Sequence, residues 1–146
     1  MKAPGERAAP AVARPLPRIE GEAAPYWRAL AEGRIELPRC ISCRSWIFYP
    51  RSFCPRCHAT DVAWEALHGR GRIYTFTIVH RPTQPWFLDR APYAYGLVEL
   101  DEGVRLPTTI VGCDLAQLRI GDRVKAVFEK VDDDVTLLCF APDVAF

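Results

Sequence analysis

Residues 40–57 read Cys40-Ile41-Ser42-Cys43-Arg44-Ser45-Trp46-Ile47-Phe48-Tyr49-Pro50-Arg51-Ser52-Phe53-Cys54-Pro55-Arg56-Cys57. The stretch begins and ends with a Cys-x-x-Cys pair. Two thiolates at this spacing can bind one metal ion together, and a second pair completes a tetrahedral four-sulfur site. The predicted metal ligands are therefore Cys40, Cys43, Cys54 and Cys57. We expect residues 46–50 to form a β-hairpin that sets one pair opposite the other.

The donor set indicates the role of the metal. Four protein sulfur ligands leave no open coordination position for water or substrate, so the predicted site is structural. Structural Zn²⁺ is the predicted cofactor, and iron in a rubredoxin-like site is the alternative metal. Two disulfides are a further alternative. The metal is expected to stabilise a segment that has little hydrophobic core of its own.

The composition limits the possible classes of protein. The chain has 146 residues, of which 49% are hydrophobic, and a formal net charge of +1. Nucleic-acid-binding domains usually carry a clear basic excess, so this class is disfavoured. No apolar run approaches the roughly 20 residues that cross a bilayer, and the first residues lack the pattern of a secretion signal. We expect a cytoplasmic protein, and that compartment favours metal binding over disulfides.

The chain before the cysteine pairs is expected to form two segments. Residues 1–20 are rich in Ala, Pro, Arg and Glu, which predicts a flexible N-terminal arm. Residues 21–36 are predicted to contain a short helix, with Pro25 in its first turn and Gly33 after its end. So short a helix is unstable alone and must dock on something. It either packs on its own domain or presents its aromatic side chains to a partner protein.

The rest of the chain is predicted to be β-structure. Residues 37–65 form the expected zinc ribbon, and residues 66–146 the expected OB-fold domain. Stretches rich in β-branched and aromatic residues, or alternating apolar and charged, predict five strands at 72–80, 95–100, 104–111, 124–131 and 136–140. A short helical turn follows the third strand, as in a Greek-key OB barrel. The predicted fold is thus mainly β, with an N-terminal helix, a rubredoxin-like zinc ribbon and a five-stranded OB-fold barrel.

The sequence contains no familiar catalytic motif. It lacks Gly-x-Ser-x-Gly, a phosphate-binding glycine-rich loop and His-Glu-x-x-His. Cys113 and Cys139 lie in apolar strand contexts and are predicted to be buried free thiols. We therefore predict no catalytic residue and no enzymatic activity, while a Cys113–His80 pair remains open as an enzyme-like alternative.

The order of several motifs resembles the acyl-CoA-associated zinc-ribbon/OB-fold family, long catalogued as a domain of unknown function. Its members typically act as accessory subunits beside a thiolase-superfamily enzyme. The resemblance starts near residue 20 and continues to the end of the chain. The motifs that carry it are Tyr26-Trp27, the two cysteine pairs with Phe48-Tyr49-Pro50-Arg51 between them, and the stretches 71–82, 92–103 and 120–124.

The resemblance implies a function and a backbone feature. It implies a non-catalytic subunit of a hetero-oligomer that binds a thiolase-like enzyme and its acyl-CoA substrate, and that the complex needs for activity or stability. The complex would be a thiolase, acyltransferase or aldolase.

The family often has glycine after the second cysteine of each pair, where the backbone needs positive φ. This chain has Arg44 and His58 there.

The segment between the first two barrel strands, residues 80–93, is long and unusually apolar for a loop. It either closes one end of the barrel or contacts a partner or an acyl chain. Its arginines, and those of the ribbon, are candidates for binding the phosphates of CoA. The candidate contact residues are Tyr26, Trp27, Arg51, Arg56, Arg81, Trp86, Phe87, Arg90 and Tyr93.

A nucleic-acid-binding function is the second hypothesis. OB barrels commonly bind single strands through a basic groove with exposed aromatic side chains. Tyr74, Phe76 and Tyr95 supply strand aromatics in this chain, but the balanced charge disfavours the hypothesis.

Overall fold

A computed structural model of the chain describes residues 12–144. Residues 1–11 of the predicted arm therefore lie outside the described residues. Residues 12–20 have no regular secondary structure. Within residues 12–144, no helix is long and apolar enough to cross a membrane.

Helix α1 spans Ala24–Ala31 and continues a 3₁₀ turn at Gly21–Ala23. Pro25 lies in its first turn, where the missing N–H has no intrahelical partner to lose. The helix ends where Gly33 adopts φ +74° and its N–H donates to the Leu30 carbonyl at 3.0 Å. Glycine permits this left-handed conformation, which stops the helix at the predicted position.

The ribbon contains a two-stranded antiparallel sheet. Strand β1 spans Ile35–Cys40 and strand β2 spans Val62–Leu67, paired from Ile35 opposite Leu67 to Cys40 opposite Val62. The first cysteine thus ends β1, and both Cys-x-x-Cys turns lie in the connection between the strands.

The hairpin predicted for residues 46–50 is wrong. Trp46 forms only an isolated bridge with Arg39 of β1, and no strand follows it. Phe48 and Tyr49 instead pack edge-on against Tyr26 of α1, with ring centroids 6.0 and 6.3 Å away. Aromatic packing on the helix therefore replaces strand pairing in this segment.

The remaining strands form a closed barrel. They are β3 (Arg70–Val79), β4 (Tyr93–Leu100), β5 (Arg105–Ile110), β6 (Arg123–Lys130) and β7 (Thr136–Pro142). Their order around the barrel is β3-β4-β5-β7-β6, and β6 closes on β3. A 3₁₀ turn at Leu115–Gln117 follows β5. This arrangement confirms the predicted OB-fold barrel.

One buried cluster joins α1, the ribbon sheet and the barrel. Leu30 of α1 and Leu37 of β1 are fully buried beside barrel residues such as Phe140. Tyr26 and Trp27 belong to this cluster and are only 5% and 9% exposed. The helix therefore packs on its own domain.

A candidate metal centre beside an aromatic cavity

The four predicted ligands meet at one point. Their Sγ atoms all lie within 4.8 Å of one another, including Cys40–Cys57 at 3.5 Å and Cys43–Cys54 at 3.6 Å. Tetrahedral zinc with Zn–S bonds of about 2.3 Å requires sulfurs about 3.8 Å apart. The donor set and its spacing therefore fit one zinc ion.

The two cysteine turns have the same backbone. The Arg44 N–H donates to the Cys40 carbonyl at 3.0 Å, and the His58 N–H donates to the Cys54 carbonyl at 2.8 Å. Arg44 and His58 both adopt positive φ, 63° and 64°. The expectation of positive φ after each second cysteine is confirmed, although neither residue is glycine. The Arg39 side chain donates to the Arg44 carbonyl at 2.8 Å and braces the first turn.

The sulfurs differ in their surroundings. Cys40 and Cys54 are fully buried, whereas Cys43 is half-buried and Cys57 is exposed. Hydrogen bonds with the hydroxyl and the backbone of Ser45 lower the pKa of the Cys43 thiol to about 6. This favours the thiolate, the form that binds metal.

An aromatic cavity of about 440 Å³ lies between α1, the ribbon and the barrel. A one-turn helix, α2 (Pro85–Leu88), within the predicted 80–93 loop forms part of its wall. Six of the candidate contact residues line this cavity: Tyr26, Trp27, Trp86, Phe87, Arg90 and Tyr93.

The other three candidates lie elsewhere. Arg81 lines a separate small depression that also touches Phe87. Arg56 lines a polar pocket between the ribbon and the barrel, while Arg51 is exposed and lines none of these pockets. The proposed CoA-phosphate contacts therefore do not form one cluster.

Aromatic side chains make up eight of the 18 residues that line the cavity, and several of its polar groups are already paired. Trp86 and Phe87 pack edge to face with centroids 5.0 Å apart, and Phe87 lies 5.7 Å from Tyr93. The indole N–H of Trp27 donates to the Tyr49 hydroxyl at 2.8 Å. A ligand here would meet largely apolar ring surfaces.

Two arginines flank Trp86 in this wall. The guanidinium carbon of Arg90 lies 3.3 Å from the Trp86 ring centroid, and that of Arg14 lies 4.4 Å away. Arg14 also forms a 2.9 Å ion pair with Glu129, and this guanidinium holds the Glu129 pKa below its usual range. Within residues 12–144, Arg90 has no acidic partner.

Sequence reasoning missed several lining residues. Tyr49 lies within the motif that carried the family resemblance, so that motif was a usable signal. Arg14 and Glu129 also line the cavity, and only three-dimensional packing brings them there. Tyr95 lines it too, although the sequence singled it out only as a strand aromatic for the nucleic-acid hypothesis.

The structure gives no support to the Cys113–His80 pair that was considered as an enzyme-like alternative. Within the described part of the chain, no hydrogen bond joins Cys113 to His80. Cys113 lies on a bend after β5 and is half-buried, so its predicted strand position and full burial are wrong. Cys139 is a buried free thiol on β7, as predicted, and burial raises its pKa to about 11.

Two family profiles match consecutive parts of the chain. Residues 27–63 match the rubredoxin-like zinc ribbon domain of ChsH2, and residues 64–129 match its C-terminal OB-fold domain. The first profile and the four converging sulfurs identify a structural zinc site.

Individual proteins and a solved structure of this family are also similar to the chain. A solved structure titled Ltp2-ChsH2(DUF35) aldolase superposes with a TM-score of 0.78 at 32% identity, covering 88% of this chain and 100% of that one. A DUF35 domain-containing scaffold protein of Methanothermobacter thermautotrophicus is 38% identical over 66% of this chain and 72% of its own length. A probable enoyl-CoA hydratase alpha subunit of Thermomonospora curvata is 34% identical over 92% of this chain. The chain spans only 42% of the length of that hydratase subunit.

Proposed function

The chain belongs to the ChsH2/DUF35 family of zinc-ribbon and OB-fold proteins, and we propose that it is a non-catalytic accessory subunit of an acyl-CoA-processing complex. The observation that carries the proposal is the aromatic cavity where helix, ribbon and barrel meet. It offers a binding surface, and no Cys–His pair among the described residues lies beside it.

The names of the relatives support a partner chain. One relative is called a scaffold protein, one a hydratase alpha subunit, and the structural neighbour carries two protein names in its title. We infer a hetero-oligomer in which a thiolase-superfamily enzyme supplies the catalytic residues. We also propose a cytoplasmic location, because that reducing compartment keeps the four metal-binding thiols from forming disulfides.

The cavity suggests how the substrate is held. Its aromatic wall suits the apolar acyl part of a CoA thioester. Arg90, which has no acidic partner among residues 12–144, provides positive charge at the same wall for an anionic group of the ligand. The chain would thereby keep the acyl group close to the active site of its partner.

Activity should require both chains. We expect the purified chain alone to leave acyl-CoA intact and turnover to appear when a thiolase-like enzyme that co-purifies from native extract is added. The measurement is thioester loss followed by chromatography. Turnover by the chain alone would contradict the proposal. So would co-purification of nucleic acid, bound tightly and with strong salt sensitivity, in place of a thiolase-like protein.

Phe87→Ala should weaken acyl-CoA binding by about tenfold, because losing one aromatic wall residue removes about 1.4 kcal/mol of contact energy. Titration with octanoyl-CoA, followed by tryptophan fluorescence, measures the change. Leu88→Ala is the matched control, since Leu88 adjoins Phe87 in α2 but is 56% exposed and does not line the cavity. Equal affinities of the two variants would exclude the cavity as the acyl site.

A further inference from the structure

The zinc-binding segment carries charged side chains of one sign. Residues 37–60 include Arg39, Arg44, Arg51 and Arg56 but no Asp or Glu. A zinc ion with four thiolates has a formal charge of 2 − 4 = −2. The arginines therefore lie in a segment whose metal centre is negative when loaded.

Only one of these arginines reaches a metal ligand through a hydrogen-bonded side chain. Arg39 and Arg44 both pair with Glu65 of β2, at 3.3 and 3.6 Å. Arg51 makes no hydrogen bond or ion pair with another residue of the 12–144 region. Arg56 donates from Nη1 to the Ser45 hydroxyl oxygen at 3.3 Å.

The Ser45 hydroxyl connects Arg56 to the metal centre. Its Oγ lies 3.3 Å from the Sγ of Cys43. A hydroxyl has one hydrogen to donate and lone pairs that accept. When Cys43 is a metal-bound thiolate, Ser45 can donate to its sulfur while accepting from the guanidinium of Arg56. The positive charge of Arg56 strengthens that bond.

The contact with Ser45 distinguishes the sulfur of Cys43 from that of Cys57, the two metal-ligand sulfurs that face solvent. Cys43 is half-buried and Cys57 is exposed, so both are open to a proton, a chelator or an alkylating reagent. Within the described chain, Cys57 has no hydroxyl or cationic side chain bonded to its sulfur. The two sulfurs should therefore leave the metal with different ease.

We propose that Ser45 and Arg56 are positioning residues of the zinc centre, which hold the Cys43 thiolate on the metal through an Arg56–Ser45–Cys43 hydrogen-bond relay. Neither residue touches the metal. The relay stabilises the sulfur at the solvent side, and Cys57 becomes the sulfur that is released first. This role concerns the metal centre alone and holds whatever partner the chain binds.

Zinc loss from the whole purified chain tests the relay. Excess 4-(2-pyridylazo)resorcinol serves as both chelator and indicator, and the absorbance of its zinc complex follows the metal that the chain has released. We expect Ser45→Ala to lose zinc about tenfold faster, as is usual when a hydrogen-bond partner of a metal ligand is removed. Ser45→Thr, which keeps the hydroxyl, should restore the wild-type rate. Arg56→Ala should also accelerate loss, and adding it to Ser45→Ala should have no further effect, since the two act in series.

The matched control is Arg51→Ala, which removes the same charge from the same segment without touching Ser45. It should leave the rate unchanged. If Arg51→Ala accelerates zinc loss as much as Arg56→Ala does, the arginines act only by compensating the negative charge of the metal centre, and the proposed relay is wrong. If Ser45→Ala loses zinc at the wild-type rate, the proposal is wrong.

Alkylation gives a readout specific to the sulfur. Iodoacetamide added during chelator treatment should label Cys57 before Cys43 in the wild-type chain, as measured by peptide mass spectrometry. In Ser45→Ala the two should be labelled at similar rates. Loss of zinc by general unfolding would instead also expose the buried Cys40 and Cys54 at once. Labelling of Cys43 first in the wild-type chain would overturn the proposal.

Discussion

Cys54→Ser is expected to abolish zinc binding and unfold the segment between β1 and β2. The core of this segment is small: Cys40, Ile47 and Cys54 form its buried cluster, apart from the main core. So few apolar side chains cannot offset the entropy of ordering the turns. Structural zinc contributes about 10–16 kcal/mol in small zinc-binding peptides, which is enough to decide whether such a segment folds.

The loss should extend to the proposed partner complex. Phe48 and Tyr49 belong to the same segment and line the aromatic cavity, so unfolding removes one wall of that cavity. Zinc content by atomic emission and complex formation by size-exclusion chromatography measure the two effects. Cys113→Ser is the control, because it makes the same chemical change at a half-buried cysteine outside the metal site. A complex that survived loss of the metal would show that the ribbon is not required for docking.

Local patterns explain why much of the fold was predictable. The cysteine spacing fixes the metal ligands because the chemistry of one ion requires four nearby sulfurs. The barrel strands have dense β-branched and aromatic sequences or clear alternation, and every predicted end lies within two residues of the observed one. Gly33 ended α1 because its conformation is set locally.

Strand β2 was missed because its sequence lacks such a pattern. Most positions of Val62–Leu67 are half-buried, so the strand lacks a clear alternation of buried and exposed residues. Its charged residue, Glu65, forms ion pairs with Arg39 and Arg44 and therefore does not indicate a solvent-exposed face. Its partner, β1, lies more than twenty residues earlier in the chain. The hairpin predicted for residues 46–50 failed for a related reason: contacts with α1 outweighed the local preference for strand pairing.

The composition of the cavity was predictable only in part. Aromatic side chains at 86–87 and 93 signalled a surface that must pack against something. The ion pair of Arg14 with Glu129 joins residues 115 positions apart, and nothing in the local sequence of either residue indicates the other. Arginines were the least predictable group, since a long charged side chain can be directed to several neighbouring sites from one position.

Phe140→Ala is expected to destabilise the zinc-loaded chain by about 3–5 kcal/mol, the usual cost of removing a buried phenylalanine. Phe140 is fully buried on β7. It pairs with Ala126 of β6 and with Ile110 of β5, the latter through the parallel pairing that joins β5 to β7. Its carbonyl accepts a 2.8 Å hydrogen bond from Val111, so backbone and side chain fix the same position.

Urea unfolding followed by circular dichroism at saturating zinc measures the cost of Phe140→Ala. Phe53→Ala is the matched control, since it removes the same atoms from a side chain that is 40% exposed in the ribbon. We expect the control to change stability by about 0.5 kcal/mol or less. Because both variants keep all four cysteines, a large difference between them would reflect barrel packing rather than metal loss. Similar small effects of the two variants would contradict this expectation and would mean that packing of the Phe140 side chain contributes little to the stability of the barrel.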